Sequence, residues 1–238
     1  MSAATSPSEA LCTANGIPIA EATIHLPRSG VWHADLSVVT ETPADVTGTI
    51  ALSIMGGQLL MNGSSYAPPL TWRGVTRLRM AAGAAGLGTK LAAQGYSNAP
   101  ASVIVGDVLN GAGETLSSTS MSLGARMNWC RLAPPEGGAS AGTALRAIVL
   151  ELGAVWRSLP DGTIWIGIES WPASELVDFD LIDAQPEDNR VQLGTSTPLL
   201  MPGTTLDVGD TLPGGGGNVG RVTYKITPDS TRVEVCFE

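Results

Sequence analysis

Residues 17–27, IPIAEATIHLP, alternate apolar and polar side chains, and the alternation returns in WHADLSVVT after the turn-forming PRSG. A period of two puts one set of side chains on each face of a pleated strand, so these two runs are expected to pair as antiparallel strands with one buried face. The carboxyl end has the same character. VGRVTYKI and TRVEVCFE flank TPDS, whose Pro228-Asp229 supplies turn chemistry, and predict a closing hairpin. Between the two ends, TGTIALSIMGGQLLMNGSSY reads as strands with turns at Gly56-Gly57 and Asn62-Gly63, and LTWRGVTRLRMAAG interleaves Trp72, Val75, Leu78 and Met80 with Arg73, Arg77 and Arg79. The first 88 residues therefore predict a barrel or strongly bent sheet of about five strands.

After Gly88 the periodicity changes. TKLAAQ contains helix formers and predicts one short helix; Val103, Ile104, Val108 and Leu109 recur at helical spacing before a Gly111/Gly113 stop; Leu145, Ile148, Val149 and Leu152 do the same before Gly153. VWRSLPDGTIWIG then reads as a hairpin turned by Pro160-Asp161-Gly162. The fold class expected is α+β, mainly β, divided as a flexible lead-in over 1–16, a first β-barrel portion over 17–88, a helical or mixed segment over 89–154 and a second β portion with the C-terminal hairpin over 155–238.

Apolar residues make up 43% of the 238 positions and charged residues 15%, enough hydrophobicity to order the chain, and no apolar run reaches the length of a membrane span. No membrane insertion is expected. The net charge of −9 disfavours general attraction to nucleic-acid phosphates, while a repulsive wall would still let a polyanion pass. Cys12, Cys130 and Cys236 are odd in number and far apart, without a CxxC, and MSAATSPSEAL has no secretory pattern, so free thiols and synthesis in a reducing cytoplasm are expected.

The candidate chemistries are each weak. TLPGGGGNVGR lacks the Lys-Ser/Thr pair of a phosphate loop and is followed by strand rather than helix, so Gly214, Gly215, Gly216 and Gly217 read as slack between strands. AAGAAGLG (81–88) also lacks fingerprint spacing and reads as close backbone packing at a turn. His25 and His33 can face each other across the first hairpin, yet with three scattered cysteines they do not make a zinc set; neither metal nor cofactor is expected. Asp178, Asp180, Asp183, Glu187 and Asp188 offer carboxylate pairs of the kind glycoside cleavage uses, in a loop-like stretch without a sugar-stacking aromatic cluster, and read as a solvated acidic face. No GxSxG occurs. Six tryptophans outnumber two phenylalanines; Trp156 and Trp165, expected on one side of their hairpin, are interface candidates together with the glycine run.

The succession LPRSGVWHADL, a barrel, QGYSNAPASVIVGDVLNGAGETLS, a helix running into GAVWRSLPDGTIWIG, and VGRVTYKITPDSTRVEVCFE resembles the baseplate or tail hub proteins of tailed bacteriophages, with the hubs of contractile tails and type VI spike proteins as the comparison. That resemblance implies two tube-subunit-like β-barrels carrying a helical portion, three copies forming a pseudo-sixfold ring between a sixfold tail tube and a threefold tip, and a non-enzymatic role in the virion. The implied partners are two further copies, tail tube or distal tube proteins, and spike, tip or fibre proteins, with DNA passing through the channel without specific binding. The length leaves little room for added spike or lysozyme domains, which suits a minimal adaptor. Three such chains would carry about 27 excess negative charges, and lumen carboxylates would keep DNA from adhering. The alternatives are a tail-associated cell-wall glycan hydrolase using the Asp178 to Asp188 carboxylates, and a carbohydrate-binding β module at the tail tip.

Overall fold

The computed structural model describes residues 11–132, 140–196, 200–212 and 215–238. Its N-terminal part is a closed six-strand ring. The strands are β1 (Cys12–Ala14), β2 (Ile17–Pro27), β3 (His33–Val38), β4 (Thr49–Ile54), β5 (Leu59–Ser65) and β7 (Val75–Ala82), with a short flanking strand β6 (Leu70–Trp72) hairpinned onto β7. β1 closes the ring by pairing with β4 along one edge and with the start of β2 along the other. The alternation of period two explains the layering: Ala22, Ile24 and Leu26 point inward to meet Ala34, Leu36, Ile50, Leu52, Met61, Leu78 and Met80, all buried.

The Asn62-Gly63 turn expected from sequence is the middle of β5 instead. A Cβ at Gly63 would lie 2.8 Å from the Trp32 ring and 2.9 Å from the Met80 methyl, so this glycine serves close approach across the barrel and not reversal of the chain. The turn before it does occur, with positive φ at Gly56 and Gly57.

The wall does not stop at the ring. The C-terminal half of β2 pairs from Ala22 to Pro27 with β15 (Gly216–Thr227), which hairpins through the expected Pro228-Asp229 turn onto β16 (Ser230–Phe237). Beyond β16 come β13 (Arg190–Gly194) and, at the margin, β12 (Asp180–Gln185). β14 (Thr205–Asp207) pairs with the start of β15. Val191, Leu193, Val222, Tyr224, Ile226, Val233 and Val235 bury the inner face, in one core continuous with that of the barrel. Tyr224 donates its hydroxyl to the Leu200 carbonyl at 2.8 Å, the partner that a buried phenol needs.

A second core lies beside this sheet. α1 (Ala101–Ala112) buries Ile104, Val105, Val108 and Leu109, and α2 (Ala141–Glu151) buries Leu145, Ile148 and Val149. α1 ends at Gly113 in the left-handed region, and Ser140 caps α2 by accepting the Thr143 amide. The short helix expected over TKLAAQ is absent: the segment leads into a strand, β8 (Gln94–Pro100), paired with β9 (Arg126–Arg131). Six residues between Gly88 and Gly95 are too few to repay helix nucleation, and Pro100 biases Ala99 toward extended backbone. The hairpin of β10 (Val155–Ser158) and β11 (Ile164–Gly167) packs Trp156, Ile164 and Ile166 into this helical core.

Candidate assembly surfaces

Seven strands present an unbroken polar face opposite the first core. In one row across the sheet, Asp183, Gln192, Glu234, Thr223, His25 and His33 follow one another strand by strand, ending at Ala81. The next row runs Asp180, Gly194, Arg232, Lys225, Thr23, Asp35 and Arg79. Cross-strand neighbours of opposite sign pair off: Arg79 with Asp35 at 3.3 Å, and Glu234 with both Lys225 at 3.3 Å and Arg190 at 3.4 Å. Burial alone would raise the Glu234 carboxyl, but the two cations outweigh it and hold it below its ordinary range. Arg77, Arg79, Arg190, Arg221, Lys225 and Arg232 share the face with Glu21, Asp35, Asp180, Asp183 and Glu234, so the chain's negative excess is carried elsewhere.

His25 and His33 do meet across the first hairpin, with rings stacked at a centroid separation of 4.7 Å. His25 Nδ1 lies 3.1 Å from the Thr223 hydroxyl. Burial, and then the neighbouring His33, push the His25 pKa down.

The hairpin tryptophans part company. Trp156 stands opposite Ile166 and Trp165 opposite Arg157, so the two rings lie on opposite faces and not on the single side expected. In a strand, positions an odd number apart relative to the pairing register cannot share a face. Trp156 is buried in the helical core, while Trp165 is half-buried under the Arg157 guanidinium, 4.3 Å from its centroid. Arg157 also forms an ion pair with Glu169, and Gly203, at φ +87°, passes close enough that a Cβ there would meet both side chains. This cluster lines the cleft where the hairpin meets Pro27 at the end of β2 and the loop residues Pro172 and Met201. Trp32 locks the joint, its backbone N–H donating to Ser158 Oγ at 2.8 Å and its indole to the Leu159 carbonyl at 2.9 Å.

Gly214 falls outside the described residues. Of its neighbours, Gly215 and Gly216 have positive φ, and Gly216 and Gly217 are already strand, opposite Asp207 and Leu206 of β14. The run is therefore half sheet edge: a Cβ on Gly216 would strike the Leu206 carbonyl, which only glycine avoids. AAGAAGLG does pack backbone on backbone, since Cβ atoms on Gly83 and Gly86 would strike the Gly162 and Ala112 carbonyls, the first also meeting the Glu114 carboxylate. The residue that sequence reasoning missed is Glu114, whose buried carboxylate accepts the backbone N–H groups of Ala84 at 3.2 Å and Gly86 at 2.8 Å. Its signal was a lone acid directly after the Gly113 helix stop.

Asp178, Asp180, Asp183, Glu187 and Asp188 are all exposed, Asp178 just ahead of β12 and the others along it and the turn that follows. Among the described residues, no three His, Cys, Asp or Glu side chains gather in a group fit to hold a metal ion.

The fold, a closed barrel whose wall runs on into further strands with helices at its side, is one shared with a type VI secretion component and two phage-type tail proteins. The Escherichia coli c3393 protein, a component of the type VI secretion system described as similar in structure to the T4 bacteriophage tail proteins gp27 and gp5, superposes with a TM-score of 0.66 at 14% identity, over 94% of this chain and 75% of that one. A 43 kDa tail protein of prophage MuSo2 from Shewanella oneidensis gives 0.61 at 9% identity, over 94% and 95% of the two chains. A tail protein from Neisseria meningitidis MC58 gives 0.60 at 12% identity, over 94% of each chain. No family model matches the sequence, and no curated protein does.

Proposed function

We propose that this chain is a non-enzymatic hub of a phage-type tail, three copies of which form a ring joining a sixfold tube to a threefold tip in the virion, with the polar sheet face lining the DNA channel. The observation that carries the reading is the β2–β15 pairing, which makes the N-terminal barrel and the C-terminal hairpin one wall with a single polar face. A rigid wall with its apolar side packed inward is what a ring subunit needs. A threefold repeat of a chain with two β portions, the ring and the β15–β16–β13–β12 extension, also offers six contacts to a sixfold neighbour.

The electrostatics differ from a carboxylate-lined lumen. On this face charges of both signs are interspersed, and Arg79, Arg190 and Lys225 pair with Asp35 and Glu234, so their fields partly cancel within a Debye length of about 8 Å at physiological salt. DNA then meets a hydrated surface without an extended basic stripe. Trp165 and the glycine edge at Gly215–Gly217 are the proposed contacts to tail tube or tip neighbours.

Native mass measurement of the protein, alone and co-expressed with its tail neighbours, tests the hub. A trimer, free or within the tail complex, supports it; a chain that stays monomeric in both preparations overturns it.

A further inference from the structure

Two edge strands of the polar wall carry unlike surfaces: β6, which flanks β7 beside β5, and β12, which ends the sheet. At one margin β6 leaves Leu70 and Trp72 exposed at 72% and 71%, on the same side of the hairpin as Arg77. Arg73 stacks on Trp72, 4.3 Å from its centroid. At the other margin β12 ends the sheet, with Ile182 exposed at 48% and lying over Gly194, beside exposed Asp178, Asp180 and Asp183. Among the described residues, neither Arg73 nor Arg77 has a carboxylate within ion-pair distance, and none of the three aspartates has a cation. The outer edges of both strands carry no further strand.

We propose that the β12 margin of one copy docks against the β6 margin of the next, apolar on apolar and acid on base. The occupant of each margin is a second copy of this chain. Opposite charges on two edge strands of one sheet suit a heterologous, head-to-tail contact, the kind that closes into a ring, and like charges at each margin oppose a two-fold contact of either with itself. A β12-to-β6 contact would also carry the polar face around that ring. Pro68-Pro69 ahead of β6 and the bulge at Ile182 limit backbone pairing, so side chains dominate the contact. The proposal rests on the trimeric reading above and names its surfaces.

Charge exchange separates the two. R73E/R77E and D180R/D183R should each lower the apparent association constant on the order of tenfold or more, by native mass spectrometry and sedimentation of the full chain, alone and with its tail neighbours. The quadruple variant should recover assembly, a recovery that loss of folding cannot imitate. Trimers formed equally well by wild type and both double variants overturn the β12–β6 contact and leave the ring standing. Capture of a different tail protein by the β12 margin, with trimers unaffected, does the same. A wild-type chain monomeric in both preparations overturns ring and contact together.

Discussion

The indole nitrogen of Trp32 donates to the carbonyl oxygen of Leu159 at 2.9 Å, tying a side chain rooted in the barrel core to the turn of the β10–β11 hairpin. The two hydrophobic cores are joined at this point, because the hairpin belongs to the helical core and Trp32 to the barrel. Trp32→Phe keeps most of the ring and removes one of the two donors to the Leu159 carbonyl, which still accepts the Gly162 N–H, and should cost about 0.5–1.5 kcal/mol. Trp32→Ala should cost about 3–5 kcal/mol by opening a cavity. Denaturant unfolding monitored by tryptophan fluorescence and by far-ultraviolet dichroism checks this; Trp32→Ala should also separate the two transitions as the cores uncouple.

Glu114 holds the loop after β7 by accepting two backbone N–H groups, from Ala84 and Gly86. Glu114→Ala strands both donors in a buried site and should destabilise the protein by about 2–4 kcal/mol, with Glu114→Gln retaining part of the loss. Gly86→Ala forces a Cβ into the Ala112 carbonyl and should be comparably damaging, about 1–3 kcal/mol. Thermal melts of the three variants decide whether the glycines of this loop are there for packing.

How much of this was legible in sequence depended on the range of the interaction. The alternation in 17–27 and 219–226 announced both strands, and Pro228-Asp229 and Pro160-Asp161-Gly162 announced hairpin turns, because those signals are local. Gly63 misled for the same reason: Asn-Gly is turn chemistry locally, while its use here is set by Trp32 and Met80 arriving from distant strands. The β2–β15 pairing joins residues roughly two hundred positions apart, and no local pattern encodes it. The surfaces proposed for assembly share that limit. Arg73, Arg77, Asp180 and Asp183 read as ordinary solvated charges until the strand pairing places them beside two separate edge strands of one sheet.

The three thiols should differ sharply in reactivity. Cys12 lies in β1, paired on both edges and 2% exposed, and burial pushes its thiol up to about 12, whereas Cys130 is exposed. Thiolate is the nucleophile, so at pH 8 a disulfide reagent should titrate Cys130 first, half-buried Cys236 more slowly, and Cys12 only after unfolding. Mass mapping of labelled peptides reads the order directly; rapid labelling of Cys12 in the folded protein would contradict the closed ring.

Stability should fall toward acid in two separate windows. His25 has a folded pKa below its ordinary 6.5, first through burial and then through His33, so the unfolded chain binds a proton more readily than the folded one. Unfolding is therefore favoured as the imidazole titrates: the stabilisation is complete above about 6.5 and is lost as pH falls through the lowered folded value. Glu234, held below its ordinary 4.5 against burial by Lys225 and Arg190, acts in the same direction at lower pH, its contribution complete above about 4.5 and lost as pH falls through its own folded value. Melting temperature recorded from pH 8 to pH 3 should show both slopes. His25→Gln should flatten the upper one and spare the lower, while Glu234→Gln should do the reverse. His33→Gln should leave part of the upper slope, since burial of His25 remains when its charged neighbour is gone. An upper slope unchanged in His25→Gln would mean that the stacked pair does not govern stability near neutral pH.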